Sequence, residues 1–331
     1  MSKILLVCYT SPKIGLGHLS RLLALAQTLK KNKKVVLEFL IFGDLIKKDE
    51  LDSFVVHNFP VKNDFTQTIQ DLLEENNFKA IVFDVYQNHN IINVHNLLIR
   101  LKQQNVSVIS IDSLIEYRNI LDLIWIPSFN FDINKYEKNC KSLLKSGWDS
   151  YLIQKHLSNK EWKPGSKILV LTGGSDISSL GKTLPAQLDH ILDKNSEVHW
   201  VKGPLSDDPI LPERQKLKWI FHDAPQKLDE LIVDSNYVLA VFGVSFFEAL
   251  QYGIPTVVFS PYDNKDNEDL VALSKEGVAL VAYNLKSAIK ELTKLMIDEK
   301  LAKKLSINAL KKMSINGSEK LSKEIHLLLN R

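Results

Sequence analysis

The sequence has 331 residues, of which 45% are hydrophobic and 24% are charged, and its formal net charge is +3. This length exceeds one typical hydrophobic core and predicts two domains. The composition is that of an ordinary globular protein, and the small net charge argues against a nucleic-acid partner. No apolar run is long enough to span a bilayer, and the first residues pass directly into a predicted strand, so we expect a cytoplasmic protein.

The first predicted strand, at 3–9, leads into a glycine loop and then into a helix. The segment 12–21 reads PKIGLGHLSR, and the apolar residues after it recur at helical spacing. Gly15 and Gly17 allow the backbone to turn sharply near a ligand, and the amino end of the helix attracts anions. His18 stands in the first helical turn, where the helix dipole favours a neutral imidazole that can act as a base. The alternatives are a capping or surface histidine, and a dinucleotide site, for which Ser20 replaces the third glycine of the fingerprint.

Strands and helices alternate through the first half of the chain, which indicates a parallel, doubly wound sheet. The strand at 80–83 ends in Asp84 and Tyr86, and the next one ends in Asp112. Ligands bind at the carboxyl ends of such strands, so Asp84 and Tyr86 are candidate site residues. The alternatives are a helix cap for Asp84 and a packing ring for Tyr86. The further strands of this half are predicted at 35–41, 106–111 and 121–126.

The second half repeats the arrangement of the first. After a Pro-Gly pair at 164–165, a strand at 167–172 leads into a turn formed by Gly173, Gly174 and Ser175. Further strands are predicted at 197–201, 217–221, 237–241, 256–260 and 278–282. Two glycine turns, one in each domain, are therefore expected.

A nucleotide site is predicted at 242–250, which reads FGVSFFEAL. Gly243 opens a helix whose first amides can bind phosphate, and Glu248, one turn further on, can accept hydrogen bonds from a ribose diol. The alternative for Glu248 is a carboxylate on the helix surface. Beyond it, the region 285–331 is predicted to be helical and carries eleven basic against five acidic residues. The basic side chains of this region are either simply solvated, or they bind an acidic surface such as a membrane.

In this order, the motifs resemble the GT-B nucleotide-sugar enzymes, and more closely the UDP-sugar hydrolases of pseudaminic acid biosynthesis and related spore-coat polysaccharide proteins. The matching pieces are Ile14 to His18 with Arg21, Asp84-Val85-Tyr86, Gly147 with Tyr151 to Ile153, Gly173 to Asp176, Ser245 with Glu248-Ala249, and Gly253-Ile254-Pro255. The resemblance implies two Rossmann-like parallel-sheet domains that face each other across a cleft. We place them at 1–160, for the sugar and the catalytic loop, and at 165–315, for the nucleotide, followed by a C-terminal helix at 316–331.

The resemblance also implies roles for individual residues. His18 corresponds to the catalytic base, Tyr86 to a tyrosine near the sugar, Gly174 and Ser175 to the diphosphate turn, and Glu248 to the ribose ligand. The other residues assigned to substrate binding are Gly15, Gly17, Arg21, Asp84, Gly173, Gly243, Ser245 and, for one asparagine at the sugar, either Asn264 or Asn267. Val85 stands where the family has a histidine, which leaves the identity of the sugar open.

These implications predict an inverting UDP-sugar hydrolase that acts on an amino or deoxy sugar and needs neither a metal nor another cofactor. One alternative is a GT-B glycosyltransferase that moves the sugar to an acceptor in surface polysaccharide or glycoconjugate synthesis. A second alternative is a nucleotide-sugar binding protein without catalysis. The sequence leaves open the oligomeric state, a peripheral membrane contact through the basic C-terminal region, and CMP or GDP in place of UDP.

Overall fold

The computed structural model describes residues 1–44, 46, 48–85, 94–137, 140–262 and 265–330. The chain divides into two compact units. The first unit comprises Met1–Ile14, His18–Ile153 and Ile315–Arg331, and the second comprises Gly15–Gly17 and Gln154–Ser314. Each unit contains one parallel sheet, so the prediction of two doubly wound α/β domains is confirmed.

The first unit contains a seven-stranded sheet in the order β3-β2-β1-β4-β5-β6-β7. Its elements are β1 (Ser2–Thr10), α1 (Gly17–Leu29), β2 (Val35–Gly43), β3 (Val55–Phe59), α2 (Phe65–Glu75), β4 (Phe78–Asp84), α3 (Val94–Gln103), β5 (Ser107–Ile111), β6 (Leu123–Ile126), α4 (Asn134–Glu137) and β7 (Leu143–Ser146). The central strand β1 is buried from Ile4 to Thr10, as expected for a parallel strand covered on both faces.

The second unit contains a six-stranded sheet in the order β10-β9-β8-β11-β12-β13. Its elements are β8 (Lys167–Leu171), α5 (Leu184–Ile191), β9 (Glu197–Lys202), β10 (Lys218–Asp223), α6 (Leu228–Asp234), β11 (Tyr237–Val241), α7 (Val244–Gln251), β12 (Thr256–Phe259), α8 (Asn267–Glu276), β13 (Leu280–Ala282), α9 (Leu285–Ile297) and α10 (Glu299–Lys312). Trp200 on β9 and Tyr237 on β11 are fully buried in the core of this unit.

The last helix, α11 (Gly317–Leu329), belongs to the first unit. Asn316 caps it by accepting hydrogen bonds from two backbone amides of its first turn. A side chain at Gly317 would meet the carbonyl oxygen of Tyr151 at 2.4 Å, and Lys320 forms an ion pair with Asp149. The absence of a side chain at Gly317 therefore lets α11 pack closely on the segment that follows β7.

The strand order reverses at one point in each sheet. In the first unit β1 lies between β2 and β4, and in the second unit β8 lies between β9 and β11. Successive connections leave such a strand in opposite directions, which opens a crevice at the carboxyl ends where α/β proteins bind ligands. The two glycine turns predicted from the sequence follow β1 and β8. In the part of the chain that is described, no helix is both long enough and apolar enough to cross a membrane.

Candidate functional site

The glycine loop that follows β1 ends where α1 begins, and His18 lies at the carboxyl edge of the first sheet. Gly15 in this loop has a φ of +81°, a conformation that favours glycine. His18 is the second residue of α1, and its side chain is 14% exposed. Asp84 is the last residue of β4, the strand next to β1, so His18 and Asp84 meet at the switch point of the sheet.

Asp84 holds His18 and Arg21 together. Its Oδ1 lies 2.6 Å from Nδ1 of His18, and it accepts hydrogen bonds from Arg21 Nη2 at 2.6 Å and, through Oδ2, from Arg21 Nε at 2.9 Å. Arg21 also donates through Nη1 to Asp112 at 2.9 Å, at the end of the next strand, β5. His18 and Arg21 are three residues apart on α1 and therefore share one face of the helix.

The environment of Asp84 determines which nitrogen of His18 carries the proton. Burial alone would raise the pKa of Asp84, but the charges and hydrogen bonds of Arg21 and His18 outweigh burial and hold this pKa below its ordinary value. An ionised carboxylate only accepts hydrogen bonds, so Nδ1 of His18 is the donor. Nη2 of Arg21, 3.1 Å from Nδ1, is then a close neighbour of that nitrogen and no hydrogen-bond partner. Nε2 of the neutral ring is left with its lone pair and can accept a proton.

Three charged side chains surround His18: Arg21, Asp84 and Asp112. Burial would lower the pKa of Arg21, but Asp84 and Asp112 outweigh burial and raise it, so the guanidinium is always charged. One cation and two carboxylates leave the cluster with a single negative charge while His18 is neutral.

In the second unit, the turn after β8 is held by two contacts that the sequence did not reveal. Gly173 has a φ of +89°, and Asp176 accepts hydrogen bonds from the amides of Leu180 at 2.9 Å and of Gly181 at 2.8 Å. Burial raises the pKa of Asp176 above its ordinary value, although those two amides act against it.

Gly203, directly after β9, supports the same turn from the neighbouring strand. A Cβ at Gly203 would lie 2.4 Å from the carbonyl oxygen of Gly174 and 2.5 Å from that of Gly173. The amide of Leu205 also donates to the Gly174 carbonyl at 3.0 Å. Sequence reasoning missed Gly203, although the Gly-Pro pair after a strand was a signal for a tight turn.

The second predicted phosphate site lies beside this turn. β11 pairs with β8, and Gly243 after β11 caps the amino end of α7. An added Cβ at Gly243 would meet no atom of the described residues within 4 Å, so a ligand could approach the backbone there. Ser245 and Glu248 are half-buried on the first two turns of α7. The turn after β8 and the amino end of α7 thus follow adjacent strands, about 5 Å apart, and could serve one anion together.

The predicted roles of three further candidate residues are not tested by the structure. Tyr86 and Asn264 lie outside the described residues, so their assignments stay predictions. Asn267 is the exposed first residue of α8, and its role at a sugar also stays a prediction. Among the described residues, no three histidine, cysteine or acidic side chains are grouped so that they could hold a metal ion. The expectation of a metal-independent reaction also stays a prediction.

Comparisons with known proteins address the fold. No family model matches the chain. An uncharacterized protein of Methanocaldococcus jannaschii is 27% identical over 287 residues, which are 80% of this chain and 56% of the relative. The chain therefore spans about half the length of this curated relative.

Three solved structures share the architecture over the full length of this chain. The UGT2 of Phytolacca americana, complexed with UDP-2-fluoroglucose and pterostilbene, aligns over all of both chains with a TM-score of 0.66 at 12% identity. The S. aureus MnaA complex with UDP aligns over 97% of its chain with a TM-score of 0.65 at 13% identity. The spinosyn forosaminyltransferase SpnP aligns over all of both chains with a TM-score of 0.68 at 10% identity.

These identities are low enough that the likeness concerns the fold alone. None of the comparisons supports the closer resemblance to the pseudaminic acid hydrolases that the motifs suggested. Two parallel-sheet α/β domains with these neighbours are what the sequence predicted, and the chain has the GT-B fold.

Proposed function

We propose that this protein is a glycosyltransferase that moves an amino or deoxy sugar from UDP to an acceptor hydroxyl, with inversion at the anomeric carbon. The observation that carries the proposal is the hydrogen bond from His18 to the buried Asp84, which leaves Nε2 of His18 as a base. Among the structural neighbours, one is named as a transferase and another holds a UDP-sugar analogue together with a second small molecule. These neighbours favour transfer over the hydrolysis that the sequence motifs suggested.

In the proposed reaction, Nε2 of His18 removes the proton from the acceptor hydroxyl while the acceptor oxygen attacks the anomeric carbon. The bond between that carbon and the β-phosphate oxygen of UDP breaks, and its electron pair leaves with UDP. Asp84 and Arg21 act as positioning residues. Asp84 accepts from Nδ1 of His18 at 2.6 Å and so fixes the tautomer of the imidazole, and Arg21 holds Asp84 in place by donating to it at 2.6 and 2.9 Å. They would not themselves touch the substrate, although the sequence assigned them to substrate binding.

We assign the nucleotide to the second unit. Amides of the turn at Gly173 to Ser175 and of the amino end of α7, from Gly243, would bind the diphosphate and stabilise the charge that develops on it. Glu248 would accept hydrogen bonds from the ribose hydroxyls. Backbone amides and a helix dipole can supply this stabilisation without a metal, so we propose that no metal is required.

Hydrolysis is the second candidate reaction, because His18 and Asp84 form the base without any contribution from an acceptor. A water molecule could then take the place of the acceptor hydroxyl, and the products would be UDP and a free sugar. The motif resemblance, with its Gly-Leu-Gly-His segment at 15–18, supports this candidate. A binding protein without catalysis is the remaining alternative.

The test is UDP release from a panel of UDP-amino sugars, with and without saccharide acceptors. The proteins compared are the wild type, His18→Ala and the control His190→Ala, which changes an exposed histidine on α5. We expect UDP release to require an acceptor and to fall by about a hundredfold or more in His18→Ala, the usual effect of removing a general base. We expect His190→Ala to behave as the wild type.

Each alternative gives a different outcome in this experiment. Release of UDP without an acceptor, lost in His18→Ala, would establish the hydrolase instead. Tight UDP binding with no turnover of any donor would establish a binding protein. Equal rates for the wild type and His18→Ala would refute the role of His18 in either reaction.

A further inference from the structure

Helix α9 of the second unit carries a stripe of lysines on its exposed side. Lys286, Lys290 and Lys294 are four residues apart and therefore lie along one line of the helix. All three are exposed, whereas the opposite side of α9 buries its apolar residues in the core of the unit. The stripe therefore faces outward.

Exposed side chains with large apolar parts lie at both ends of α9 and at the end of α5. Ile297, at the end of α9, is 78% exposed, Tyr283, just before α9, is 53% exposed, and Ile191, at the end of α5, is 48% exposed. A depression of about 810 Å³ is lined by Ile191, Ile297 and the lysine stripe, together with Asn284, Ser287, Thr293 and Asp298. We call these six residues the α9 face: Ile191, Tyr283, Lys286, Lys290, Lys294 and Ile297.

Two acidic residues lie on this surface, against the three lysines. Glu291 lies 3.5 Å from Nζ of Lys294 and partly neutralises it. Asp298 uses its carboxylate to cap α10, by accepting from the amide of Leu301. Within the described part of the chain, Lys286 and Lys290 form no ion pair. The α9 face therefore combines cationic side chains with exposed apolar ones.

We propose that the α9 face docks the protein on a lipid bilayer that contains anionic headgroups. Lysine ammonium groups would meet the headgroups, while the lysine stems and the isoleucine side chains enter the boundary with the acyl chains. Tyrosine is the type of side chain that prefers this boundary, because its ring is apolar and its hydroxyl is polar. A nucleic acid or an acidic protein would match the lysines but would leave the exposed isoleucines unexplained.

The dimensions fit a peripheral contact and exclude a spanning one. From Lys286 to Ile297 the stripe extends roughly 16 Å, at the rise of an α-helix. A helix of this length that lies parallel to the surface can bring all three lysines close to the headgroups at once. Each lysine near an anionic leaflet adds about a fivefold factor in affinity, so the three together should add about a hundredfold.

The proposal is tested by cosedimentation with large vesicles of phosphatidylcholine, with and without 30% phosphatidylglycerol. Three proteins are compared: the wild type, the triple variant Lys286→Gln, Lys290→Gln, Lys294→Gln, and a control triple variant. The control, Lys31→Gln, Lys33→Gln, Lys34→Gln, makes the same change of charge at exposed lysines of the first unit. Thermal melting of each variant verifies that it is folded.

We expect the wild type to bind only the anionic vesicles, and the α9 variant to bind them about a hundredfold more weakly. The control variant should stay within about threefold of the wild type, and Ile297→Asn should lose about tenfold even at high salt, because its contribution is apolar. Absence of binding to the anionic vesicles would overturn the proposal, and so would equal losses in the two triple variants. The assay contains no donor or acceptor, so its result is independent of the proposed catalytic function.

Discussion

Replacing Asp84 with asparagine tests the mechanism at its most buried point. The substitution keeps the shape of the side chain but removes the charge that holds Nδ1 of His18 and two nitrogens of Arg21. Besides its hydrogen bond to Asp112, Arg21 would have only the single, uncharged amide oxygen of the asparagine to donate to. Loss of one partner from a buried ion pair costs about 3 kcal/mol of unfolding free energy, which lowers the melting temperature of a unit of this size by roughly 6–12 °C.

The effect on catalysis should exceed this loss of stability. An amide can donate to Nδ1 as well as accept from it, so the ring is no longer held in the tautomer that leaves Nε2 free. We expect kcat of Asp84→Asn for UDP release to fall by about a hundredfold or more, at a temperature where the variant is folded. In a His18→Ala background the same change should cost less than about threefold, because both residues act through one base.

A matched control is Asp189→Asn. Asp189 is also buried, and it accepts hydrogen bonds from the amides of Lys216 and Leu217 in the second unit. We expect this variant to lose stability and to keep its kcat. If Asp84→Asn retained half of the wild-type kcat while it was folded, the positioning role of Asp84 would be refuted.

Three further predictions follow from other contacts. Gly203→Ala should weaken UDP binding, measured by calorimetry, about tenfold or more without unfolding the protein, because its Cβ would lie 2.4 Å from the Gly174 carbonyl oxygen. An unchanged affinity would contradict the role of Gly203 in supporting the turn after β8. Gly317→Ala should lower the melting temperature of the first unit, since α11 could not pack as closely, and an unchanged melting curve would contradict this packing. The pKa of Glu197 is lowered to about 2, mainly by its hydrogen bond with Lys218. Glu197 therefore stabilises the fold above its unfolded pKa of about 4.3, and this contribution is lost as the pH falls towards 2. Urea unfolding of Glu197→Gln should lack this part of the pH dependence, and identical pH profiles would contradict it.

The sequence predicted the central strands well and missed two strands at the edges of the first sheet. β1 and β4 are apolar runs buried on both faces, a pattern that is easy to recognise. β3 and β7 are the two outermost strands of that sheet, and their residues are mostly half-buried or exposed. An edge strand needs fewer apolar residues, so these short segments lacked the pattern that predicts a buried strand.

The candidate site was predicted as a set of positions, but its internal contacts were not. The glycine loop and His18 could be identified because they are contiguous in the sequence. The ion pair of Arg21 with Asp84 joins residues 63 positions apart, and it depends on the register of β1 with β4. The sequence therefore left Asp84 open between a helix cap and a ligand-binding residue, whereas the structure shows it bonded to both His18 and Arg21.

The most direct test of the account is to identify the nucleophile. The reaction is run in water enriched in ¹⁸O with a UDP-amino sugar and an active acceptor, and the sugar product is analysed by mass spectrometry and NMR. The account predicts a glycoside of the acceptor, without ¹⁸O at the anomeric position and with the anomeric configuration opposite to that of the donor. A free sugar labelled with ¹⁸O would contradict the transferase, and a glycoside with the configuration of the donor would contradict direct displacement assisted by His18.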